Sequence, residues 1–251
     1  MSSKPEFLKE ELERYSRQMA IPKWGLDGQK KLKAARVTIV GVGGLGSFSS
    51  LLLTASGVGH VKVVDKQRYE VSNLNRQILG WHLDVGKYKA NVAREKLIEL
   101  NPYVDVEAEI LEIRENNVKD VILGSDVVVD GMDNWETRFI VNDACVKERI
   151  PFVHAGVSGF YGQITTIMPG KGPCLRCIFP KSPAQPSLIP IVGATPALLA
   201  SLQVMEALKL ILGLGRSLIG RLLLFDGENM ETNIITVERK MDCPICGSMQ
   251  Y

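Results

Sequence analysis

Short runs of β-branched residues alternate along the chain with longer segments whose apolar positions recur at helical spacing. Arg36–Val40 (RVTIV) reads as a buried strand, and His60–Val64 (HVKVV) as a second that ends at Asp65. Val104–Ile110 alternates as a strand, and Asp126–Asp130 (DVVVD) is another buried one. Between them lie an apolar helix, Leu45–Ser56, that stops at Gly57, and a helix over Lys87–Leu100 with Val92, Leu97 and Leu100 on one side, closed by Asn101-Pro102. Trp135–Arg149 is the helix after Asp130. A charged segment, Phe7–Met19, predicts a short N-terminal helix, and Lys66 to about Gly86 a polar loop. Strands alternating with helices imply an α/β, doubly wound, Rossmann-like and mostly parallel sheet with helices on both faces.

The pattern changes after Pro151. Phe152–His154 reads as one more strand, Val157–Met168 as a hairpin turning near Gly162, and Arg221–Phe225 with Thr232–Val237 as a closing antiparallel pair. Pro180–Pro196 holds five prolines in seventeen residues, which makes it a loop. Ala197–Leu212 is the longest helical run and ends at Gly213; its Gln203, Glu206 and Lys209 mark it as a core or dimer-interface helix rather than a membrane element. The parallel half therefore continues into a mixed, antiparallel C-terminal half, and the chain reads as one continuous domain.

Composition narrows the class. In 251 residues, 45% are apolar and 23% charged, as in ordinary globular proteins, which excludes a disordered chain, a collagen-like repeat and a membrane bundle. A net charge of +2 gives no reason to expect nucleic acid. No apolar run reaches the roughly 18 residues of a membrane span, and Met1–Glu13 lacks the apolar core of a signal peptide. The expected location is the cytoplasm, where structural disulfides are rare.

Candidate chemistry starts at Gly41-Val42-Gly43-Gly44-Leu45-Gly46, which follows a strand and opens a helix. In that setting the glycines permit a tight turn and close backbone approach, and the helix N-terminus offers free N–H groups to phosphate. Asp65, ending the next strand, can accept from ribose hydroxyls. The loop alone would suit a dinucleotide. Arg76 and Lys89 change that reading, because two cations near the glycine loop suit a triphosphate about to be cleaved, although a solvated surface charge is the ordinary fate of either residue. Asp133, just past the strand that ends at Asp130, falls on the same sheet edge, where a carboxylate can hold Mg²⁺ against phosphate oxygens. Asn134 is placed to cap the following helix.

Four cysteines form two pairs, Cys174-x-x-Cys177 and Cys243-x-x-Cys246, separated by 65 residues. Four thiolates match a closed, tetrahedral structural Zn²⁺ site, with the tail Asp242–Gly247 as a knuckle pinned to the base of the proline loop. Disulfides are the less favoured alternative in a reducing compartment, and a redox role is weaker still because neither pair is expected to open a helix after a strand. Cys145 lies within a helix and reads as a packing residue, as do His60, His82 and His154 as packing or surface residues.

Taken in order, Arg14-Tyr15-Ser16-Arg17-Gln18, Gly41–Ser47, Asp65, Ser72-Asn73-Leu74-Asn75-Arg76-Gln77, Lys89, Asp133-Asn134 with Thr137-Arg138, and the two CxxC pairs resemble the ThiF/MoeB/HesA family, prokaryotic relatives of ubiquitin-activating enzymes. The resemblance runs from residue 14 to residue 246. It implies adenylation: a ubiquitin-like sulfur-carrier protein inserts its C-terminal Gly-Gly, and the carboxylate attacks the α-phosphate of ATP, releasing pyrophosphate. It further implies that Gly44, Asn73 and Arg76 hold ATP, with Ser72, Leu74, Asn75 and Asn134 in the same nucleotide-binding set, that Asp65 binds ribose, Lys89 steadies the phosphates and Asp133 binds Mg²⁺. The family is dimeric, and Arg14 would reach the partner subunit's ATP; a sulfur donor protein would act on the product. On this view residues 1–35 form a helical arm, 36–150 the nucleotide-binding half and 151–251 the carrier-binding and zinc half. Many members carry a further cysteine in the loop after the first CxxC, whose place here falls near Pro186-Ser187; no cysteine stands between Cys177 and Cys243, so adenylation without a thioester is expected. The alternatives left open are a relative that activates a carboxylate on tRNA, a non-catalytic nucleotide-binding zinc scaffold, and an NAD dehydrogenase.

Overall fold

The computed structural model describes residues 7–183 and 188–248. In chain order the elements are α1 (Lys9–Arg14), α2 (Ser16–Met19), α3 (Gly25–Ala34), β1 (Arg36–Val40), α4 (Gly44–Ala55), β2 (His60–Val64), α5 (Lys89–Leu100), β3 (Asp105–Glu109), α6 (Val118–Ile122), β4 (Val127–Asp130), α7 (Trp135–Lys147), β5 (Phe152–Ser158), β6 (Tyr161–Ile167), α8 (Leu175–Ile178), α9 (Ala194–Leu212), β7 (Arg221–Asp226) and β8 (Glu231–Thr236). They build one eight-stranded sheet of order β3-β2-β1-β4-β5-β6-β7-β8. The five strands from β3 to β5 are parallel, and the remaining pairings are antiparallel.

β1, β2 and β4 are buried on both faces, which explains their unbroken Val/Ile runs. One face carries α4, α5 and α9 over Ile39, Leu53, Val63, Leu97 and Val204. The other carries α6, α7 and α8 over Val64, Ile122, Val128, Phe139 and Phe152, together with the four paired cysteines. The order reverses where β1 passes the chain to β2 on one side and β4 lies on the other. That leaves a crevice at the carboxyl ends of these strands.

Several sequence expectations are corrected. The N-terminal helix breaks at Tyr15, which turns inward to 2% exposure, its hydroxyl accepting from Asn101 Nδ2 at 2.8 Å. The polar α3 and the five-residue α6 have apolar faces too short to register as helical patterns. The hairpin turns at Gly159-Phe160, not near Gly162. Gly162 is instead a mid-strand residue on which a Cβ would lie 2.5 Å from Leu199 Cδ2, so it is small to let α9 approach. The first CxxC does open a helix, with Cys174 at the N-cap position of the one-turn α8.

α9 starts three residues earlier than expected, with Pro196 in its first turn, where no backbone N–H is needed. At 19 residues it is long and apolar enough to cross a membrane by length and composition. Half of it is nevertheless buried inside the protein, with Gln203 Nε2 donating to the carbonyls of Asp130 and Val153. It is a core helix.

Candidate active site

The glycine loop is tied to its strands before any ligand is considered. Gly41 N–H donates to the Val64 carbonyl at 2.8 Å, and Gly131 N–H to the Val40 carbonyl at 2.8 Å. Gly46 sits against the start of the turn, where a Cβ would lie 1.9 Å from the Gly41 oxygen; no other residue fits. Asp65 is aimed by two backbone donors, Val42 N–H to Oδ2 at 2.8 Å and Gln67 N–H to Oδ1 at 2.7 Å. Burial pushes its carboxyl upward, and those two N–H groups and the Lys89 ammonium act against that shift. α4 begins at Gly44, so its unpaired N–H groups face the crevice.

A cavity of about 650 Å³ fills that crevice. Gly41, Gly43, Gly44, Asp65, Arg76, Lys89, Asp133 and Asn134 all line it, although they come from widely separated parts of the chain. Lys89 is 3% exposed and Nζ donates to Gln67 Oε1 at 2.7 Å. Burial lowers its pKa, opposed by Asp65 and Asp133. Arg76 Nη1 donates to the Ser72 carbonyl at 3.0 Å and to Asn75 Oδ1 at 2.9 Å, which holds the guanidinium against its own loop. Asn134 Oδ1 accepts from Thr137 N–H at 2.8 Å and caps α7. Asp133 is exposed on the turn after β4 and lines the same cavity, close enough to Lys89 for its charge to act on the ammonium.

Other expected residues lie outside the lining. Ser72, Asn73, Leu74 and Asn75 form the turn behind Arg76, with Asn73 Oδ1 accepting from Glu70 N–H at 3.1 Å. Gly46 lies beneath the turn. Arg14 ends α1 and donates to the Leu100 carbonyl at 3.0 Å. The expected position of a further cysteine, Pro186-Ser187, lies outside the described residues.

The sequence reading missed Gln67 as a wall residue and gave no role to Gln77 and Arg138, which it named only within the runs that carry the resemblance. Gln77 is 4% exposed, and its buried Oε1 has no hydrogen-bond partner among the described residues. Arg138 Nε donates to Asp130 Oδ2 at 3.1 Å and Nη2 to the Met132 carbonyl at 2.5 Å, while Asp130 Oδ1 accepts from Met132 N–H at 2.9 Å. Both ends of the residue preceding Asp133 are thereby held. His154 Nδ1 stands 2.6 Å from the same Asp130 Oδ2, so this histidine belongs to a buried polar network, and burial lowers its pKa. An arginine at the fourth position of a helix capped by Asn134 was the available signal for that network.

The cysteines form the second cluster. Their four sulfurs lie within 4.8 Å of one another and all four residues are buried. Sγ of Cys174 is 3.6 Å from that of Cys243, and Sγ of Cys177 is 3.4 Å from that of Cys246. Disulfide sulfurs stand about 2.0 Å apart, whereas a tetrahedron of Zn–S bonds near 2.3 Å places its sulfurs about 3.8 Å apart. The donor set fits one shared soft ion. Burial pushes Cys246 up to about 12; at Cys243 burial also raises the thiol, but the N–H groups of Cys246 and Ile245 and the Cys177 and Cys174 sulfurs together outweigh it and bring the thiol down to about 7.

The sequence profile of the ThiF family matches residues 15–245. The chain belongs to the ThiF family. It is 44% identical over 250 residues to the sulfur carrier protein adenylyltransferase of Thermus thermophilus, an alignment spanning 95% of this chain and 92% of that protein. Identity to the SAMP-activating enzyme E1 of Haloferax volcanii is 42%, over 94% of this chain and 89% of that one. Among solved structures, E. coli MccB with ATP superposes with a TM-score of 0.80 at 26% identity, covering 93% of this chain and 73% of that one. This ThiF family member is an adenylyltransferase.

Proposed function

We propose that the protein adenylates the C-terminal Gly-Gly carboxylate of a ubiquitin-like sulfur-carrier protein with ATP and Mg²⁺. The observation that carries this reading is the joining, in one cavity, of the α4 N-terminus, Arg76, Lys89 and Asp133, with the orphaned Gln77 oxygen in the wall. Cationic and N–H donors together with a carboxylate in one cavity are what a nucleoside triphosphate and its metal require. The named relatives from Thermus thermophilus and Haloferax volcanii support the same assignment.

In this reading Asp65 receives the ribose hydroxyls and the glycine-loop N–H groups the phosphates. Asp133 would hold Mg²⁺, which neutralises phosphate charge when bound. The carrier carboxylate is ionised at neutral pH, so no general base is needed. Its oxygen forms a bond to the α-phosphorus, the bond from that phosphorus to the bridging oxygen breaks, and pyrophosphate leaves with both electrons. Arg76 and Lys89 compensate the charge that accumulates on it. Arg14 is assigned to the nucleotide of a second protomer in a homodimer. Cys174, Cys177, Cys243 and Cys246 are assigned to one structural Zn²⁺.

No cysteine separates Cys177 from Cys243 in the sequence, and burial holds the Cys145 thiol far above its usual range. The acyl-adenylate therefore passes directly to an external sulfur donor, without an enzyme thioester. The test is ATP–pyrophosphate exchange. It should appear with the carrier and vanish when the carrier's last glycine is removed; exchange without any carrier would refute the assignment.

A further inference from the structure

A lysine buried to 3% exposure beside two carboxylates would ordinarily be expected to ion-pair with one of them. Lys89 does not: among the described residues its ammonium has no carboxylate within ion-pairing distance and donates instead to a neutral amide oxygen, Gln67 Oε1, at 2.7 Å. The same glutamine holds the lysine at its other end, since Lys89 N–H donates to the Gln67 carbonyl at 2.9 Å. Gln67 is in turn fixed by its own N–H on Asp65 Oδ1. Both residues line the cavity.

We propose that Gln67 is a positioning residue that aims the Lys89 ammonium into the cavity through a neutral acceptor and so leaves its whole charge for an incoming polyphosphate. A carboxylate at the same place would hold the lysine as firmly but would compete with the phosphate for it, since an anionic acceptor adds a charge–charge attraction that a neutral amide lacks. The inference rests on the reading that Lys89 meets the nucleotide phosphates. The groups facing Lys89 are Asp65 at the end of β2, Asp133 on the turn after β4, and Arg76 and Glu70 on the loop between β2 and α5. None of these changes when Gln67 is replaced.

Two substitutions separate aiming from mere packing, and because Gln67 is exposed both leave the fold intact. Affinity for Mg²⁺–ATP is measured by calorimetry between neutral and alkaline pH, alongside exchange kinetics. Binding needs charged Lys89, so affinity falls as pH rises through its pKa. Gln67→Glu should weaken binding about tenfold at neutral pH and move that alkaline fall upward by about one pH unit. Gln67→Leu, which removes the acceptor, should move the fall downward. KM for ATP should change in both variants and KM for the carrier in neither. Opposite displacements cannot come from a general loss of structure. Alkaline limbs that coincide with wild type in both variants would overturn the inference. Lys89→Met keeps the two layers apart: if it binds ATP normally, the phosphate reading itself fails; if it loses binding while the Gln67 variants titrate like wild type, only the role of Gln67 fails.

Discussion

The cavity at the strand ends and the cysteine cluster behind α7 are both assembled from distant parts of the chain, yet they are finished differently. The cysteine cluster is closed. Each sulfur has another within 3.6 Å, the cluster is buried among Phe139, Phe152 and Leu175, and Lys240 N–H covers the Cys177 sulfur at 3.5 Å. The cavity is left incomplete. Among the described residues Gln77 Oε1 has no partner, Lys89 is held by a neutral amide, and the first turn of α4 lines the cavity. Unsatisfied polar groups destabilise a fold and persist where a ligand completes them. The contrast separates a region built to hold shape from one built to exchange a ligand.

Breaking the cavity should therefore abolish chemistry without disturbing the fold, and breaking the cluster should do the reverse. The largest effect is expected for Asp133→Ala: pyrophosphate exchange should fall by about 100-fold or more while Tm stays unchanged. Near-normal exchange would remove Asp133 from the metal assignment. Cys246→Ser comes next. Losing one Zn²⁺ ligand should lower Tm by about 5–10 °C and reduce exchange far less, with metal analysis falling from about one equivalent per chain. A mapped disulfide between these residues would reject the ion. The smallest effect belongs to Cys145→Ala, which should keep full exchange and full sulfur transfer and lose only about 1 kcal/mol of packing. A thiol-sensitive enzyme–carrier band on a non-reducing gel that this substitution removes would show that the buried thiol takes part.

Local regularity decided what was legible. The buried strands at Arg36, His60 and Asp126 stood out because both faces need apolar β-branched side chains. The glycine loop stood out because strand, turn and helix N-terminus are consecutive. Of the residues singled out for nucleotide binding, Asp65, Arg76, Lys89, Asp133 and Asn134 meet in the cavity, whereas Ser72 to Asn75 support it from behind and Arg14 lies elsewhere. Gln67 was missed because a lone glutamine in a polar loop carries no pattern; Gln77 stood in the run from Ser72 that carries the family resemblance but was given no role. The hairpin near Gly162 was misplaced because a glycine demanded by α9 looks, in sequence, like one demanded by a turn.

The sequence by itself determined the alternation of strands and helices, the position of the phosphate-type loop and the chelating spacing of the cysteines, since each depends on residues a few positions apart. Tertiary structure decided everything that depends on two remote segments meeting. It placed Lys89 on Gln67 rather than on a carboxylate, seated Arg138 and His154 on one oxygen of Asp130, and set Cys174 beside Cys243 and Cys177 beside Cys246. A side chain's partner across the fold is chosen by the packing of the sheet and its helices, and that choice leaves no trace in the residues beside it in the chain.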